Sequence, residues 1–529
     1  MTGSLSRRRE WALALSTGLF VLLLRAPLVD LPLERDEGEY AYIAWRLEHG
    51  ELPYRDWFDQ KPPGIFLAYR LALVAPGQPV EAIRGLAALV CAGSVVALYF
   101  LARRLLSAPA AWLAALLLGC ISADPFLQGP IANTELFMLP WLILANLAFL
   151  AAARGAGTRA LPSLLAGGFL GLATGFKPVA AVDAALFVLL LPLIANGGPW
   201  VPRLLRFTGW AVLGGLAVWL PVLAWFRARG GLEELLDAVF LHNFAYAGGL
   251  GGVERLRNLL SSVPALWEAA AAACVLAGVG LVFLARGSER WRARYLAGWL
   301  VAGAVGASAS GYYFEHYFQQ LLPPLAVAAA AGVVAFYQAP ALPRVRGALL
   351  AVALASIALV APVLHSVALW PLTPAQAMES IYPESPFEVM PEIAEEVAAL
   401  TAPDDTVFVY GSEAEIFFDA QRRSASRYIF LFPLFGPYTD ALDRQRSVIE
   451  EVRSARPAVI VAIPNSLFFG PHTRQDLTEW LDTYVAQNYR THALVVAEPG
   501  DRGRMLRASD AGFDADSARR AWAKIFVRR

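Results

Sequence analysis

A charged stretch directly after the first apolar segment carries side chains that could do chemistry. Asp36 and Glu37 stand where a helix would begin, and Lys61 follows in the sequence DQKPPG, where two prolines stiffen the loop. A carboxylate can take a proton from a hydroxyl or an amine, and a lysine ammonium is a compact charge suited to phosphate. The alternative is a solvated helix cap, with Lys61 reaching toward lipid headgroups.

Other chemistry-bearing residues stand at the ends of separate apolar runs. Glu135 lies in GPIANTELFML, Lys177 in TGFKPVAAVD, and His316 and Tyr317 in GYYFEHYFQQLLPP. Ionisable residues at membrane depth are costly and are therefore usually functional. Taken singly, a satisfied acid at the end of a span or an aromatic belt explains them equally well or better. Taken together with the first stretch, they suit transfer of a group from a lipid phosphate, with the cations stabilising the departing phosphate.

A glycine-rich segment, FLHNFAYAGGLGG, contains His242 and Asn243. We predict an outer loop that closes over a substrate, and a plain flexible loop is at least as good an interpretation. The cysteines Cys91, Cys120 and Cys274 lie in apolar runs without metal-ligand spacing. They predict neither a metal site nor a disulfide framework.

The composition is that of a membrane protein. Of the 529 residues, 57% are hydrophobic and only 17% are charged, against roughly 25% charged in soluble domains. The formal net charge is zero, so the composition gives no reason to expect a nucleic-acid partner.

Eleven apolar runs are long enough to be considered as membrane spans. A signal peptide is an unsuitable interpretation of the first run, because Arg25, Pro27 and Asp30 stand where small residues should mark a cleavage site. The predicted spans are residues 11–29, 81–102, 109–124, 132–153, 161–176, 178–196, 207–226, 263–285, 294–311, 317–337 and 347–367.

Arginine distribution predicts a cytoplasmic N-terminus, because this orientation places at least two basic residues in every inner segment. Two outer loops, residues 30–80 and 227–262, also retain several cations, which indicates either an anionic ligand there or ordinary pairing with neighbouring acids. In the first of these loops we predict interfacial helices at about 36–49 and 64–75. An odd number of spans places the C-terminal tail outside the cytoplasm.

We divide the chain into a membrane domain, residues 1–370, and a soluble periplasmic α/β domain, residues 371–529. In the latter, helix-like runs at 391–401, after Asp440 and at 474–488 alternate with the apolar runs 406–410, 458–463 and 493–497. This alternation predicts a mostly parallel sheet. The domain lacks a glycine-rich phosphate loop.

Residues 35–66, RDEGEYAYIAWRLEHGELPYRDWFDQKPPGIF, resemble the first outer loop of the GT-C membrane glycosyltransferases, specifically the superfamily of protein O-mannosyltransferases and lipid A aminoarabinose transferases. ANTELFMLP, GFKPVA and FEHYFQQLLPPLAV resemble later motifs of that superfamily, so the resemblance covers about residues 7–367. It implies a polyprenyl-phosphate sugar as donor and an acceptor at the outer leaflet or in the periplasm. Asp36 matches the essential aspartate, Lys61 the lysine that contacts the lipid phosphate, and Tyr317 a phosphate-contacting tyrosine.

The chain departs from the aminoarabinose transferases at two positions. They carry a metal-binding acid before Lys-Pro-Pro and an arginine three residues after the aspartate, where this chain has Gln60 and Glu39. We therefore expect no zinc and no other cofactor, and lipid A specificity is in doubt.

The sequence thus predicts a membrane glycosyltransferase, a hexosyl or pentosyl transferase, with Asp36, Glu37 and Glu135 as catalytic candidates and Lys61, Lys177, His316 and Tyr317 as donor-phosphate ligands. A flippase or transporter of lipid-linked sugars is the alternative, which would require charges near the bilayer midplane and broken helices in two related halves. A binding module on a membrane anchor is a third interpretation, although eleven spans exceed what an anchor needs.

Overall fold

Helices, most of them apolar, account for most of the described residues up to residue 368. The computed structural model describes residues 6–154, 160–195, 199–340, 342–436, 438–464, 475–498 and 501–529. The helices of this part are α1 (Arg7–Arg25), α2 (Arg35–Glu48), α3 (Gly64–Leu73), α4 (Pro79–Ala102), α5 (Ala108–Ile121), α6 (Thr134–Arg154), α7 (Ala160–Thr174), α8 (Val182–Ile194), α9 (Trp200–Arg229), α10 (Leu232–Leu236), α11 (His242–Gly248), α12 (Gly252–Arg286), α13 (Trp291–Ser308), α14 (Leu322–Tyr337) and α15 (Arg344–Ala368).

Each of the eleven predicted spans coincides with a helix. Seven helical segments in the described residues are long and apolar enough to cross a membrane: Arg7–Leu28, Pro79–Ala102, Thr134–Arg154, Trp200–Arg229, Gly252–Arg286, Glu315–Tyr337 and Arg344–Ala368. The other four predicted spans are the shorter helices α5, α7 and α8 and the helix α13, whose first turn contains Arg292 and Arg294. Those four stay predictions as membrane crossings.

The loop between α1 and α4 carries the two helices predicted there. α2 begins with a capping box, in which the Glu34 side chain accepts from the Glu37 amide and the Glu37 side chain accepts from the Glu34 amide. α3 exposes Leu67 and Leu71, as expected of a helix at an apolar boundary. By contrast, every residue of α2 from Glu37 to Ala44 is buried.

The described residues of the C-terminal part form a six-stranded mixed sheet with helices. Its helices are α16 (Pro374–Ile381), α17 (Met390–Ala399), α18 (Glu415–Asp419), α19 (Phe432–Phe435), α20 (Ala441–Ala455), α21 (Asp476–Asn488) and α22 (Ala515–Arg520). Its strands are β1 (Thr406–Tyr410), β2 (Arg423–Ser424), β3 (Val459–Ala462), β4 (Tyr489–Glu498), β5 (Asp501–Arg507) and β6 (Ala521–Arg528). Residues 196 and 474 of the predicted elements lie outside the described residues.

The expectation of a mostly parallel sheet is wrong. The strand order is β2-β1-β3-β6-β4-β5. β1 pairs in parallel with β2 and β3, whereas the pairs β3/β6, β6/β4 and β4/β5 are antiparallel. The cause is that β4 and β5 form a hairpin and β6 inserts between β3 and β4, so only the first half of the sheet has the crossover connections that parallel pairing requires.

The sheet part packs directly over α2 and shares one apolar core with it. Gly38 makes this approach possible, because a Cβ atom there would lie 2.4 Å from the backbone nitrogen of Glu415 in α18. Tyr42 packs on Phe417 with ring centroids 5.5 Å apart, and its hydroxyl accepts from the Ser424 amide at 2.9 Å. The C-terminal part therefore packs closely against α2, the helix that carries Asp36.

Candidate active site

Asp36 and Lys61 form an ion pair at the start of α2. The distance from Lys61 Nζ to Asp36 Oδ2 is 3.4 Å, and the Tyr40 hydroxyl donates to the same oxygen at 3.1 Å. Both side chains are mostly buried, with 15% of Lys61 and 23% of Asp36 exposed. Burial by itself would raise the pKa of Asp36, but Lys61 foremost, then His316 and Tyr40, bring that pKa below its ordinary value. The carboxylate is thus ionised at neutral pH, as a base must be.

The loop that carries Lys61 is rigidly tied. The backbone amide of Lys61 donates to Asp59 Oδ1 at 2.8 Å, and the backbone carbonyl of Lys61 accepts from the Tyr54 hydroxyl at 2.7 Å. Burial would lower the pKa of Lys61, yet the charges of Asp36 and Asp59 raise it above its ordinary value. Burial also raises the pKa of Asp59, to about 6. The Lys61 ammonium therefore stays charged and fixed in place, as binding of an anion requires.

A second ion pair joins Glu135, at the start of α6, to Lys177, in the loop between α7 and α8. Lys177 Nζ donates to Glu135 Oε1 and also lies 3.6 Å from the ring centroid of Tyr317. His316 Nε2 approaches Glu135 Oε1 at 3.9 Å, while its Nδ1 donates to Gln128 Oε1 at 2.6 Å. Side chains from three separated parts of the sequence thus meet at one place.

The loops that carry Lys61 and Lys177 are hydrogen-bonded to each other. Gly64, which follows Lys-Pro-Pro, donates its amide to the carbonyl of Gly175 at 2.8 Å. A Cβ atom at Gly64 would lie 2.4 Å from that oxygen, so only glycine allows the approach. The effect of His316 on the pKa of Asp36 shows that the pairs are electrostatic neighbours. Asp36, Lys61 and the second pair form one polar centre.

Glu37 faces away from this centre although it adjoins Asp36 in sequence. Its side chain is fully buried and binds Arg84 of α4 at 2.7 Å and the backbone amide of Ala132 at 2.7 Å. The Glu37 carboxylate therefore makes its contacts to groups inside the protein. We assign Glu37 a structural role, joining α2 to α4 and to the segment before α6.

We expect Glu37→Gln to lower the free energy of unfolding by about 3 kcal/mol, because it leaves the Arg84 guanidinium buried without its counter-charge. Thermal unfolding in detergent measures this loss, and the protein that remains folded should keep its activity. Glu48→Gln is the matched control, because Glu48 is about half exposed in its pair with Arg70 and should matter little. A stable but inactive Glu37→Gln protein would instead make Glu37 catalytic.

His242 and Asn243 lie in helix α11 and are not part of a free loop. His242 is 4% exposed and packs between the rings of Phe58 and Tyr438, with centroids 5.2 and 4.6 Å away. Asn243 Nδ2 donates to the backbone oxygen of Gln60 at 2.7 Å. Both residues lie in a helix that packs into the fold, so the expectation of a loop at these residues is wrong.

Sequence reasoning missed several residues at the site. Tyr40 follows Asp36 by four positions, a helical spacing that could have revealed it. Tyr246 of α11 approaches the Tyr317 hydroxyl at 3.4 Å and stacks on Tyr312 with centroids 4.7 Å apart. Tyr438 reaches the same aromatic group from the C-terminal part. For the last two residues no local signal exists, because only the tertiary structure brings them there.

Comparisons with known proteins agree with this architecture. Residues 60–225 match the family model described as dolichyl-phosphate-mannose-protein mannosyltransferase. No curated protein matches the chain in sequence.

Solved structures match over almost the whole chain. ArnT from Cupriavidus metallidurans bound to undecaprenyl phosphate is 16% identical with a TM-score of 0.59, and the match covers 99% of this chain and 98% of that one. The Archaeoglobus fulgidus oligosaccharyltransferase tethered with an acceptor peptide is 13% identical with a TM-score of 0.52, and the match covers 94% of this chain and 74% of that one. The arabinofuranosyltransferase AftD from Mycobacteria is 14% identical with a TM-score of 0.52, and the match covers 99% of this chain and 40% of that one. The chain has the GT-C glycosyltransferase fold, which confirms the resemblance found in its sequence.

Proposed function

We propose that this protein transfers a monosaccharide from a polyprenyl-phosphate donor to an acceptor on the extracytoplasmic side of the membrane. One observation carries the proposal: the Asp36–Lys61 pair and the Glu135–Lys177 pair belong to loops that are hydrogen-bonded to each other through Gly64 and Gly175. A base and two ammonium groups in one place match the needs of sugar transfer from a phosphodiester. A hexose and a pentose both fit this chemistry.

The proposed reaction exchanges one bond at the anomeric carbon for another. The bond from that carbon to the phosphate oxygen breaks, and the electron pair leaves with the polyprenyl phosphate, whose added negative charge Lys61 and Lys177 stabilise. The acceptor hydroxyl or amine forms the new bond to the anomeric carbon and gives its proton to Asp36. Glu135 holds Lys177 in position. The phosphodiester already stores the required free energy, so the reaction needs no nucleotide.

A lipid-linked donor is supported by the comparisons. The description of the matching family model names dolichyl-phosphate-mannose, and the matching ArnT structure contains undecaprenyl phosphate. Both molecules are polyprenyl phosphates, and a phosphate ligand is what a buried, charged Lys61 would bind. The acceptor could be a glycolipid, a polysaccharide or a protein.

We propose that the reaction uses no resident metal ion. Gln60 replaces the acid expected before Lys-Pro-Pro, and Asn243 binds its backbone oxygen. Carboxylate, imidazole and thiolate groups are the ligands that zinc prefers, and a carboxamide is a weak substitute. Within the described ranges, no group of three His, Cys, Asp or Glu side chains could hold a metal ion. The two lysines supply the positive charge instead.

We place the protein in a bacterial inner membrane with a cytoplasmic N-terminus. The multi-pass architecture follows from the fold and the apolar helices. The sidedness rests on the arginines of the inner segments and would put Asp36, Lys61 and the sheet part, residues 371–529, in the periplasm.

A transport function has one observation in its favour. Asp183 of α8 is buried within the bundle, where Asn146 donates to it at 2.8 Å and Tyr295 donates to Asn146 at 3.0 Å. These three side chains bind one another and form a closed polar contact between α6, α8 and α13. Such a satisfied group stabilises helix packing, so transfer remains the better proposal.

Mass spectrometry of the cell envelope from a deletion strain tests the proposal. We expect one sugar to disappear from a periplasmic or surface glycan, lipid or protein, and the matching polyprenyl-phosphate sugar to accumulate. Wild-type protein should restore the modification in isolated membranes, with or without EDTA. An unchanged envelope would contradict the function, a loss confined to cytoplasmic conjugates would contradict the sidedness, and sensitivity to EDTA would contradict the metal-free site.

A further inference from the structure

Besides Asp59 Oδ2, four polar atoms of residues in or packed against the Lys61 loop are buried and have no hydrogen-bond partner within the described part of the chain. They are Gln60 Oε1, His242 Nε2, Tyr438 Oη and Arg444 Nη1. His242 is only 4% exposed, and Tyr438 and Arg444 are each 7% exposed. Leaving such atoms unpaired costs free energy, so a group of them requires an explanation.

The four side chains belong to one cluster. His242 lies between the rings of Phe58 and Tyr438, and the Arg444 guanidinium stands over the same Phe58 ring at 4.5 Å. Gln60 follows Phe58 by two positions and is held by Asn243, the neighbour of His242. The residues that carry the unpaired atoms therefore lie where the Lys61 loop, α11 and the C-terminal part meet.

This cluster is continuous with the candidate active site. Gln60 immediately precedes Lys61 in the chain. On the other side, Tyr438 belongs to the same aromatic group as Tyr246 and Tyr312, and Tyr246 reaches the Tyr317 hydroxyl at 3.4 Å. A ligand whose phosphate binds Lys61 and Tyr317 would present its next atoms to these unpaired groups.

We propose that the cluster of Gln60, His242, Tyr438 and Arg444 binds the hydroxylated sugar ring of the donor, with two of its four residues supplied by the C-terminal part. This inference rests on the proposed function. Sugar hydroxyls both donate and accept hydrogen bonds. The Gln60 oxygen accepts, the Arg444 nitrogen donates, and the tyrosine hydroxyl does either.

Two further features suit a neutral sugar. Burial, and then the charge of Arg444, lowers the pKa of His242 to about 3. The imidazole is therefore uncharged and can accept or donate one hydrogen bond. The rings of Phe58 and Tyr428 stand 5.4 Å apart next to the cluster and offer apolar faces for the C–H groups of a sugar.

The test compares ligand binding by two variants, Tyr438→Phe and His242→Phe, with binding by the wild type. Each variant keeps an aromatic ring in place and removes a polar atom that has no partner, so thermal stability should be unchanged or slightly higher. Tyr484→Phe is the matched control, because the Tyr484 ring stacks on Trp480 in α21. The probes are bare polyprenyl phosphate and polyprenyl phosphates carrying mannose, glucose, galactose, arabinose or 4-aminoarabinose.

We expect wild-type protein to bind one sugar-bearing lipid at least about tenfold more tightly than bare polyprenyl phosphate, and each variant to lose most of that difference while binding the bare lipid normally. Equal sugar preference in wild type and variants would overturn the inference. Variants that lose transfer activity in cells but still prefer the same sugar-bearing lipid would also overturn the inference, because the cluster would then bind the acceptor. A different result would contradict the proposed function itself: binding of the bare lipid that is unchanged in Lys61→Ala.

Discussion

Asp36→Asn is expected to lower the rate of sugar transfer by about a thousandfold, in the range that a positioned general base contributes. The amide keeps the size of the side chain but cannot take a proton from the acceptor. Transfer from a polyprenyl-phosphate sugar to the acceptor identified in the deletion strain, measured in single turnover, gives this rate directly.

Binding of polyprenyl phosphate should survive the same change. In the protein as described, Asp36 competes with a phosphate for Lys61, since the two side chains pair at 3.4 Å. The Asn variant should therefore bind the lipid as tightly as the wild type or more tightly. Asp30→Asn is the matched control, because Asp30 is exposed at the start of the same loop. Full activity of the Asp36→Asn enzyme would remove the carboxylate from the mechanism.

Lys61→Ala should weaken binding of polyprenyl phosphate by about 30-fold or more, because truncating one partner of a buried charge contact commonly costs 2 kcal/mol or above. Lys61→Arg keeps the charge and should recover part of the affinity. Lys524→Ala is the control, because Lys524 lies in β6 of the sheet. Unchanged affinity for the lipid in Lys61→Ala would show that the phosphate binds elsewhere.

The pH profile offers a second measurement on the Lys61→Ala enzyme. Lys61 is the largest influence that opposes burial and lowers the pKa of Asp36. Without it, burial should raise that pKa, and ionisation of the base would require a higher pH. The acid limb of the activity profile should therefore move to higher pH in Lys61→Ala and stay in place in Lys524→Ala.

Much of the architecture could be predicted from local sequence. Apolar runs of about 20 residues must satisfy their own backbone groups in a membrane, so they form helices wherever they occur. All eleven predicted spans are helices for this reason. The local sequence also indicated that a capped helix beginning with acids and the stiff, charged loop DQKPPG belong to one site, and Asp36 and Lys61 do lie 3.4 Å apart. Their catalytic and phosphate-binding roles stay predictions.

The sheet shows where local sequence is insufficient. The apolar runs in β1, β3 and β4 were predicted, whereas β5, with four charged residues among seven, and β6 were not predicted. Strand direction depends on which partner lies beside a strand, and that partner can be distant in sequence. The antiparallel half of the sheet therefore could not be derived from the alternation of helices and strands.

The sequence by itself determined where the apolar helices lie and which loops carry acids and cations. Only the tertiary structure decided that Asp36 meets Lys61 while Glu37, one residue later, meets Arg84. Successive side chains on a helix point about 100° apart, so the neighbours packed around α2 select the role of each carboxylate. The same packing brings Tyr438 and Arg444 to the Lys61 loop from more than 370 residues away in the chain.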